Sequence, residues 1–550
     1  MVRLDRRVIM VKLGNWWKEG VIYQIYPRSF QDSNGDGVGD LQGIIGRMDY
    51  LAWLGISGLW ISPIYASPMY DFGYDISDYR MIDPIFGSEE DVCALLECAH
   101  GRNIKVMFDM VLNHTSSEHA WFKESSSSLQ NTKRDFYIWR DGRGRRCPNN
   151  WYAAFGGRAW SFDRVTGQYY LHSFLKQQPD LNWRNDEMVT ALFGEMAYWL
   201  DKGVDGFRLD VINLIVKDKD YRNNPYGWGG RPRPYDMQHH VYDRNQIESH
   251  EKLRKFRKWI DSYPERMLVG EIMVEKPGEP ELAASYLGNG DDELHLAFDF
   301  SFTWLPWNAQ VWKAAAIRWY SSIPDGGWPS WVFSNHDVKR AISRWKNSPG
   351  RARIAAFFMF TQRGTPFMYY GEELGMQDIP VSKRELQDPV GKKYWPFHKG
   401  RDGSRRPMKW DDSDNNGFSD EHTWLPTDAS LVSAVAKQKE ARDSLLYLYH
   451  DLIQMRNHDL ALRLGTIRWV ELDDAADVLA YIREEGTSRR LVLANFSGKT
   501  RTFEALPLQK AMGSESIRVI FSTVAGDFSA DDSPQILSLQ PYQGLVCRGE

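Results

Sequence analysis

The stretch GFRLDVINL, from Gly206 to Leu214, places two charged residues inside an apolar run. Its composition is that of a buried strand. Because side chains alternate along a strand, Arg208 and Asp210 share one face and Phe207 and Leu209 share the other. A guanidinium and a carboxylate on the same face of a core strand indicate a functional site where that strand ends.

The surrounding sequence repeats one local order: an amphipathic helix, a glycine and a short apolar strand. Before Val204, apolar residues run at helical spacing from Leu192 to Leu200, and Gly203 follows them as a C-terminal stop. Candidate strands begin near Val21, Gly58, Ile104, Val204, Met267, Leu294, Trp331 and Pro366. Eight strands that alternate with helices predict an α/β fold of the (β/α)₈ TIM-barrel type, with a doubly wound open sheet as the alternative.

Two long connections and a change of pattern divide the chain. The segment 113–178 follows the third strand and is too long for a simple connection, so we expect an inserted subdomain there. After about residue 465 the sequence changes to short alternating segments that favour antiparallel strands. We therefore predict a barrel in 1–112 and 179–464, an inserted subdomain in 113–178 and a C-terminal β-sandwich domain in 465–550.

Composition restricts the possible partners. The chain has 550 residues and a formal net charge of −5, which gives no reason to expect nucleic acid or an anionic membrane. No apolar run reaches the ~18 residues of a membrane span, and the N-terminal apolar run is too short for a signal peptide. The four cysteines form no CxxC pair and are typical of a reducing compartment. A cytoplasmic protein, monomeric or homodimeric, is expected.

Several acidic residues come at the predicted carboxyl ends of barrel strands, where barrel enzymes carry their catalytic groups. They are Asp109, Asp210, Glu271 and Asp337. Any one of them could be a helix cap or a loop residue. Together they provide what glycoside hydrolysis requires: one carboxyl group that stays protonated as an acid, and a second that is ionised.

These segments resemble glycoside hydrolase family 13, the α-amylase family, in its α-glucosidase and oligo-1,6-glucosidase branch. The resemblance spans nearly the whole chain. It rests on DMVLNHTS (109–116), GFRLDVIN (206–213), VGEI (269–272), FSNHD (333–337), QPDLNW (178–183), GYDISDY (73–79) and RDGSRRPMKW (401–410).

The resemblance implies a role for each matching residue. Asp210 would be the nucleophile, Glu271 the general acid and base, and Asp337 would bind the distorted sugar ring. The same ring would be contacted by Arg208, His114 and His336, with Tyr74 stacked beneath it. Asp75 and Arg405 would close the non-reducing end of an exo-acting pocket, and Phe155 and Phe174 would line its entrance. The expected substrate is a small oligosaccharide, and no organic cofactor is expected.

A second motif, DSNGDGVGDLQG (32–43), resembles an EF-hand loop that lacks its final glutamate. Its oxygen donors would be Asp32, Asn34, Asp36, the Val38 carbonyl and Asp40. A strand precedes the loop, so a static structural Ca²⁺ or Mg²⁺ ion is the favoured interpretation. A turn without metal is the alternative.

The sequence gives conflicting signs about the bond that is cut. By resemblance, Val211 after the nucleophile favours α-1,6 cleavage, whereas the segment 218–250 is more typical of enzymes that prefer short α-1,4 substrates or disaccharides. We expect an exo-α-glucosidase with α-1,6 activity. A transglucosidase of the sucrose isomerase or trehalose synthase type is an alternative. An endo-amylase is disfavoured by the expected closed pocket. A non-catalytic, membrane-associated relative is disfavoured by the retained acids.

Overall fold

The computed structural model describes residues 15–227, 233–274, 278–427, 432–472, 475–524 and 536–549. Residues 1–14, which the sequence assigns to the barrel and which contain the whole of the short N-terminal apolar run, lie outside the described residues. So do residues 228–232 of the segment 218–250.

Eight parallel strands form the central sheet of the described chain, and each of them lies where the sequence predicts one. They are β1 (Ile22–Ile25), β2 (Gly58–Ile61), β3 (Lys105–Val111), β4 (Gly206–Asp210), β5 (Met267–Gly270), β6 (Leu296–Ala297), β7 (Ser330–Val332) and β8 (Thr365–Tyr369). The order in the sheet is β6-β5-β4-β3-β2-β1-β8-β7. The predicted barrel fold is confirmed. The open doubly wound alternative is excluded because neighbouring strands follow the chain order and the last strand, β8, pairs with the first, β1.

The remaining gap in the barrel lies between β6 and β7, which are the two ends of this order. A side chain bridges it, because Ser330 Oγ of β7 donates to the Ala297 carbonyl of β6 at 2.8 Å. Apolar side chains that include Ile22, Trp60 and Phe367 fill the interior. The barrel is therefore a packed core whose functional surface is its rim.

Helices connect the strands and pack around the barrel. The main ones are α1 (Met48–Leu54), α2 (Glu89–His100), α3 (Asp186–Asp201), α4 (Glu248–Ile260), α5 (Pro280–Ser285), α6 (Ala309–Ser322), α7 (Pro349–Thr361) and α8 (Leu445–His458). The glycine stop after α1 adopts the left-handed conformation at Gly55, with a φ of 90°. No helix of the described ranges combines the length and apolarity that a bilayer crossing requires.

Two further parts flank the barrel. Between β3 and α3, a helix (Ala120–Ser127) is followed by three antiparallel strands, Trp139–Arg140, Trp160–Phe162 and Tyr169–Leu171. The C-terminal part has a five-stranded antiparallel sheet made of β9 (Thr466–Val470), β10 (Val478–Glu485), β11 (Ser488–Asn495), β12 (Ile517–Ser522) and β13 (Gly544–Gly549). A two-stranded sheet, Arg501–Glu504 with Ile536–Leu539, accompanies it.

The stretch GFRLDVINL is a strand only in its first half. β4 ends at Asp210, and Ile212–Leu214 form a short 3₁₀ helix. Between them Val211 has a φ of 35° and a ψ of 46°, a left-handed conformation that is strained for a β-branched residue. The chain thus turns sharply directly after Asp210, so the carboxylate lies at the rim of the barrel.

Candidate active site

Arg208 is the centre of the site, and its side chain is fully buried. Its Nη1 donates to Asp109 Oδ1 at 2.8 Å and to Asp210 Oδ1 at 2.8 Å. Its Nη2 contacts Glu271 Oε2, and the guanidinium lies 4.9 Å from the centre of the Trp60 ring. One guanidinium therefore holds three carboxyl groups from three neighbouring strands.

The barrel register explains this convergence. In the parallel pairing of β3 with β4, Asp109 is opposite Arg208. Glu271 directly follows β5, and its backbone N–H donates to the Leu209 carbonyl at 2.9 Å. The two charges that interrupt the apolar run of β4 are thus on the inner face of the barrel, as the sequence predicts.

The charge balance around Arg208 favours retention of a proton. Burial, the largest cause, raises the pKa of Asp210 well above its usual range and also raises that of Glu271. The Arg208 guanidinium opposes this effect, but neighbouring carboxylates add to it. Because one positive charge faces three buried carboxyl groups, the pair of Asp210 and Glu271 retains a proton to a higher pH than isolated carboxyl groups would.

Asp337 is in the opposite electrostatic situation. Its Oδ1 accepts from Arg405 Nη2 at 2.8 Å and from Arg401 Nη1 at 3.1 Å. Burial alone would raise the pKa of Asp337, but the positive charges beside it outweigh burial and hold the pKa well below its usual range. The site thus combines a carboxyl pair that retains a proton with a third carboxylate that stays ionised.

The structure corrects one of the residues predicted to close the pocket. Asp75 is fully buried, and its carboxylate is bound within its own loop by Ser67 Oγ, the Tyr70 N–H and the Asp71 N–H at 2.9 to 3.0 Å. The residue that faces the arginines is Asp71, whose Oδ1 accepts from Arg401 Nη2 at 2.6 Å. Asp75 is therefore a loop-stabilising residue.

Arg401 was not among the sequence candidates, although it lies in the RDGSRRPMKW motif. It pairs with Asp71, Asp337 and the buried Asp388. Arg405, which the sequence does predict, lies beside it and donates through Nε to the His336 carbonyl at 2.8 Å. The neighbouring Arg406 instead donates to backbone carbonyls that include Pro426, so of these two adjacent arginines Arg405 is the one that reaches Asp337.

The predicted ring-contacting residues form a fully packed stack. His336 lies between Tyr74 and Tyr26, with ring centres 5.3 and 5.7 Å away. Its Nε2 is 2.7 Å from the Tyr74 hydroxyl and its Nδ1 is 2.7 Å from Gln24 Nε2. Burial lowers the pKa of His336 well below its usual range, so the ring is neutral. His114 is also buried, with Nε2 3.0 Å from the Tyr74 carbonyl oxygen, and burial lowers its pKa to about 4.

An apolar wall lies on the other side of Asp210. Val211 packs in one cluster with Ala154, Phe174 and Leu214, and Phe155 borders it. Phe174 and Phe155 meet edge to face at 5.4 Å, and the Arg401 guanidinium lies 5.0 Å from the centre of the Phe155 ring. Phe155 and Phe174 of the segment 113–178 therefore form a wall that runs from the residues after Asp210 to Arg401.

The EF-hand-like loop is closely hydrogen-bonded. Asp32 accepts backbone N–H groups from Asn34, Gly35 and Gly37, and Asp40 caps the following helix by accepting from the Gly43 N–H at 2.7 Å. Within the described residues no three His, Cys, Asp or Glu side chains converge closely enough to hold a metal.

The donor set of this loop still fits a hard cation. It offers carboxylate, amide and carbonyl oxygens. Asp40 already accepts a hydrogen bond as a helix cap, so it is the least available of these residues to bind a cation directly.

The chain was compared with known proteins. The family model for the alpha-amylase catalytic domain matches residues 24–465. A probable alpha-glucosidase of Rhizobium meliloti is 42% identical over 90% of this chain and 92% of its own length. An oligo-1,6-glucosidase of Parageobacillus thermoglucosidasius is 40% identical over 96% of this chain and 98% of its own.

Solved structures agree over nearly the full length. The alpha-glucosyl transfer enzyme XgtA superimposes with a TM-score of 0.89 at 39% identity, covering 98% of this chain and 100% of that one. The trehalulose synthase MutB of Pseudomonas mesoacidophila gives a TM-score of 0.87 at 32% identity, covering 97% and 99%. With its barrel, its three converging carboxyl groups and these relatives, this chain belongs to the alpha-amylase family.

Proposed function

We propose that the protein is a retaining, exo-acting α-glucosidase that releases glucose from the non-reducing end of short α-glucosides. The observation that carries this proposal is that Asp210 and Glu271 bind the same guanidinium. Two carboxyl groups held so closely suit the double-displacement mechanism, in which they are about 5 Å apart, better than direct attack by water, which needs a wider gap.

In the first step Asp210 attacks the anomeric carbon, and the glycosidic bond to the leaving oxygen breaks. Glu271 gives its proton to that oxygen. In the second step Glu271 takes a proton from water, whose oxygen attacks the anomeric carbon, and the bond to Asp210 breaks. Glu271 thereby regains its proton, and Asp210 regains its carboxylate.

The surrounding charges support these steps. Arg208 keeps Asp210 oriented, and the proton shared by the pair supplies the acid. Asp337 is held ionised by Arg401 and Arg405, so it can bind sugar hydroxyls and stabilise the positive charge that develops on the ring. The neutral His336, whose Nε2 bonds to the Tyr74 hydroxyl, holds the Tyr74 ring in place without adding charge to the site.

Exo action follows from the closed end of the pocket. Asp71, Arg401 and Asp388 form a buried ion-pair group there. A chain that continues past the bound glucose would have to disrupt this group, at the cost of leaving buried charges without partners. We therefore propose a pocket that accepts one non-reducing glucose unit.

Activity on α-1,6 bonds is favoured by Val211, which lies in the apolar wall beside the leaving group, and by the relatives named as oligo-1,6-glucosidases. The test is a panel of isomaltose, isomaltotriose, maltose, sucrose and trehalose with rates measured for each. A kcat/KM for isomaltose above that for maltose is the expected result. A strong preference for maltose contradicts the α-1,6 assignment.

Glucosyl transfer is a second candidate because the structural neighbours XgtA and MutB are named as transfer and synthase enzymes. In transfer, a sugar hydroxyl replaces water in the second step. Product analysis at low and high sugar concentration separates the two. Free glucose as the main product at both concentrations supports hydrolysis, and new disaccharides at both contradict it.

We further propose that the loop from Asp32 to Asp40 holds a structural Ca²⁺ or Mg²⁺ ion. Asp32, Asn34, Asp36 and the Val38 carbonyl would bind it, with Asp40 reached through water. Such an ion would stabilise the loop after β1 and would take no part in the chemistry. A cytoplasmic location and a monomer or homodimer are also proposed; cell fractionation and size-exclusion chromatography with light scattering test them.

A further inference from the structure

The buried acid Glu372 has no part in the proposed reaction. It connects the end of β8 to the loop after β7, and that loop carries Asp337. It follows β8 within the sequence Gly371-Glu372-Glu373, and only 8% of it is exposed. Its Oε1 accepts from Ser334 Oγ, and its Oε2 accepts from the Tyr369 backbone N–H at 3.3 Å. One carboxyl group thus ties the end of β8 to the loop that follows β7.

The loop after β7 carries Asp337. Ser334 is three residues before it, and the side chain of Asn335 accepts from the Asp337 N–H at 2.8 Å. Arg344 contacts the Phe333 carbonyl on the other side of Ser334. The loop is therefore held at several points, and Ser334 is the point at which β8 acts on it.

The end of β8 also holds the arginine that binds Asp337. Tyr369 donates through its hydroxyl to the Ser404 carbonyl at 3.2 Å, and Tyr370 donates to the Arg406 carbonyl at 2.6 Å. These two carbonyls flank Arg405, whose Nη2 is 2.8 Å from Asp337 Oδ1. One strand end therefore positions both members of this ion pair.

The backbone at this point requires glycine. Gly371 has a φ of 79°, and a Cβ there would lie 2.4 Å from Met376 Sδ and 3.1 Å from Arg340 Nη1. The turn brings the side chain of Glu372 back over its own strand. Burial raises the pKa of Glu372 to about 7, which is the cost of keeping a carboxyl group here.

We propose that Glu372 is a positioning residue for the reaction: through Ser334 and the end of β8, it sets the Asp337 loop against Arg405. It does not touch the substrate. Because Asp337 is assigned to the distorted ring, this inference rests on the proposed function. A misplaced Asp337 weakens binding of the transition state more than that of the ground state. We therefore expect the loss of Glu372 to lower kcat more than it raises KM.

The test compares Glu372→Ala, Glu372→Gln, Ser334→Ala and the double variant Glu372→Ala/Ser334→Ala in the full-length protein. We expect Glu372→Ala to lower kcat by 10- to 100-fold with KM changed by less than about threefold. Glu372→Gln keeps an oxygen that accepts from Ser334 and should recover most of kcat. The double variant should be no slower than Glu372→Ala, because both changes remove the same contact.

Glu373 is the matched control. It is the next residue and is also buried, but its Oε1 accepts from the hydroxyls of Tyr23 and Tyr50 at 2.7 Å. Glu373→Gln should lower Tm and leave kcat within about twofold. A Glu372→Ala protein that is folded at the assay temperature with kcat within twofold of wild type overturns the inference, and so does additivity in the double variant. An unmodified protein that cleaves no α-glucoside instead overturns the proposed function.

Discussion

Arg401 and Asp71 form a 2.6 Å ion pair at the end of the site that we propose is closed. They come from opposite ends of the barrel sequence, and Arg401 also reaches Asp337 at 3.1 Å. The ion pair proposed to close the pocket is thus bound directly to the carboxylate proposed to bind the sugar ring. Arg401 would therefore serve both closure and catalysis.

The first prediction separates Asp71 from Asp75. Asp71→Asn removes the charge that faces Arg401, so kcat/KM should fall on the order of 100-fold or more, with folding retained. Asp75→Asn should mainly lower stability, by about 1–3 kcal/mol, because it places an amide NH₂ among N–H donors. Steady-state kinetics and urea unfolding measure the two effects. The reverse pattern would restore the role that the sequence motif suggested for Asp75.

This distinction shows where prediction from sequence stops. All eight barrel strands and the inward face of Arg208 and Asp210 follow from local patterns, since strand alternation fixes which residues share a face. Asp71 and Asp75 lie in one loop, four residues apart. The acid that faces the pocket depends on left-handed turns at Met69, Phe72 and Gly73, with φ of 62°, 51° and 104°.

The turn at Val211 escaped prediction for a similar reason. Its β-branched side chain favours a strand, and its left-handed backbone is stable only because the cluster with Phe174 and Leu214 surrounds it. Strand propensity therefore predicts the strand correctly up to Asp210. It fails at Val211, where tertiary packing determines the backbone conformation. Arg401 could have been proposed from the RDGSRRPMKW motif, but its pairing with Asp71 could not be predicted from the sequence.

The second prediction concerns the two reacting carboxyl groups. Asp210→Asn should lower kcat on the order of 10⁴-fold or more while the protein still binds glucose, because no covalent intermediate forms. Glu271→Gln should lose far less activity on a glucoside whose leaving group needs no proton. Added azide should then take the place of water in the second step and yield α-glucosyl azide with net retention, because it attacks the β-glucosyl-enzyme from the opposite face.

Mass spectrometry and product NMR follow these reactions. A β-configured azide product from Glu271→Gln would mean that azide attacks the substrate directly and would contradict a glucosyl intermediate on Asp210. The matched control is Asp261→Asn, which changes an acid at the end of α4 and should leave turnover unchanged.

The third prediction concerns bond preference. Val211→Ala shortens the side chain beside the leaving group, and Val211→Thr keeps its shape but adds a hydroxyl. Both should shift the isomaltose-to-maltose ratio of kcat/KM toward maltose by about 3- to 30-fold, equivalent to ~0.7–2 kcal/mol. Val211→Ile is the control that keeps a branched apolar side chain. An unchanged ratio in both Ala and Thr variants would remove Val211 as a determinant.

The fourth prediction is that the buried histidines contribute a loss of stability in mild acid. Burial lowers the pKa of His114, His119 and His172 to about 4 in the folded protein, from 6.5. Below pH 6.5 these histidines bind protons in the unfolded chain but not in the folded protein, so their contribution to the free energy of unfolding falls between about pH 6.5 and 4. Each histidine contributes on the order of 1–3 kcal/mol. Raised carboxyl pKa values, such as that of Asp75 at about 7, act in the opposite direction.

Urea unfolding at pH 7, 5.5 and 4.5 measures this slope, and His119→Asn identifies one contributor. His119 accepts from the Trp121 N–H at the start of a helix, away from the catalytic carboxyl groups. Asparagine keeps that acceptor and does not titrate. The slope should become shallower in the variant, and an identical slope would contradict the assignment to His119.

The fifth prediction tests the cation loop. The turn at Gly37 has a φ of 84°, and a Cβ there would lie 1.8 Å from the His422 carbonyl oxygen, so the loop is packed against a distant part of the chain. An ion bound by Asp32, Asn34 and Asp36 would therefore stabilise the folded state as a whole.

Addition of Ca²⁺ or Mg²⁺ after treatment with EDTA should raise Tm, by an amount that grows with the logarithm of the ion concentration. Asp36→Asn should reduce this shift, whereas Asp49→Asn, which alters an exposed acid in an ion pair with Arg102, should not. If the metal-free protein has the same Tm at every concentration of both ions, the loop is a turn held by its own hydrogen bonds.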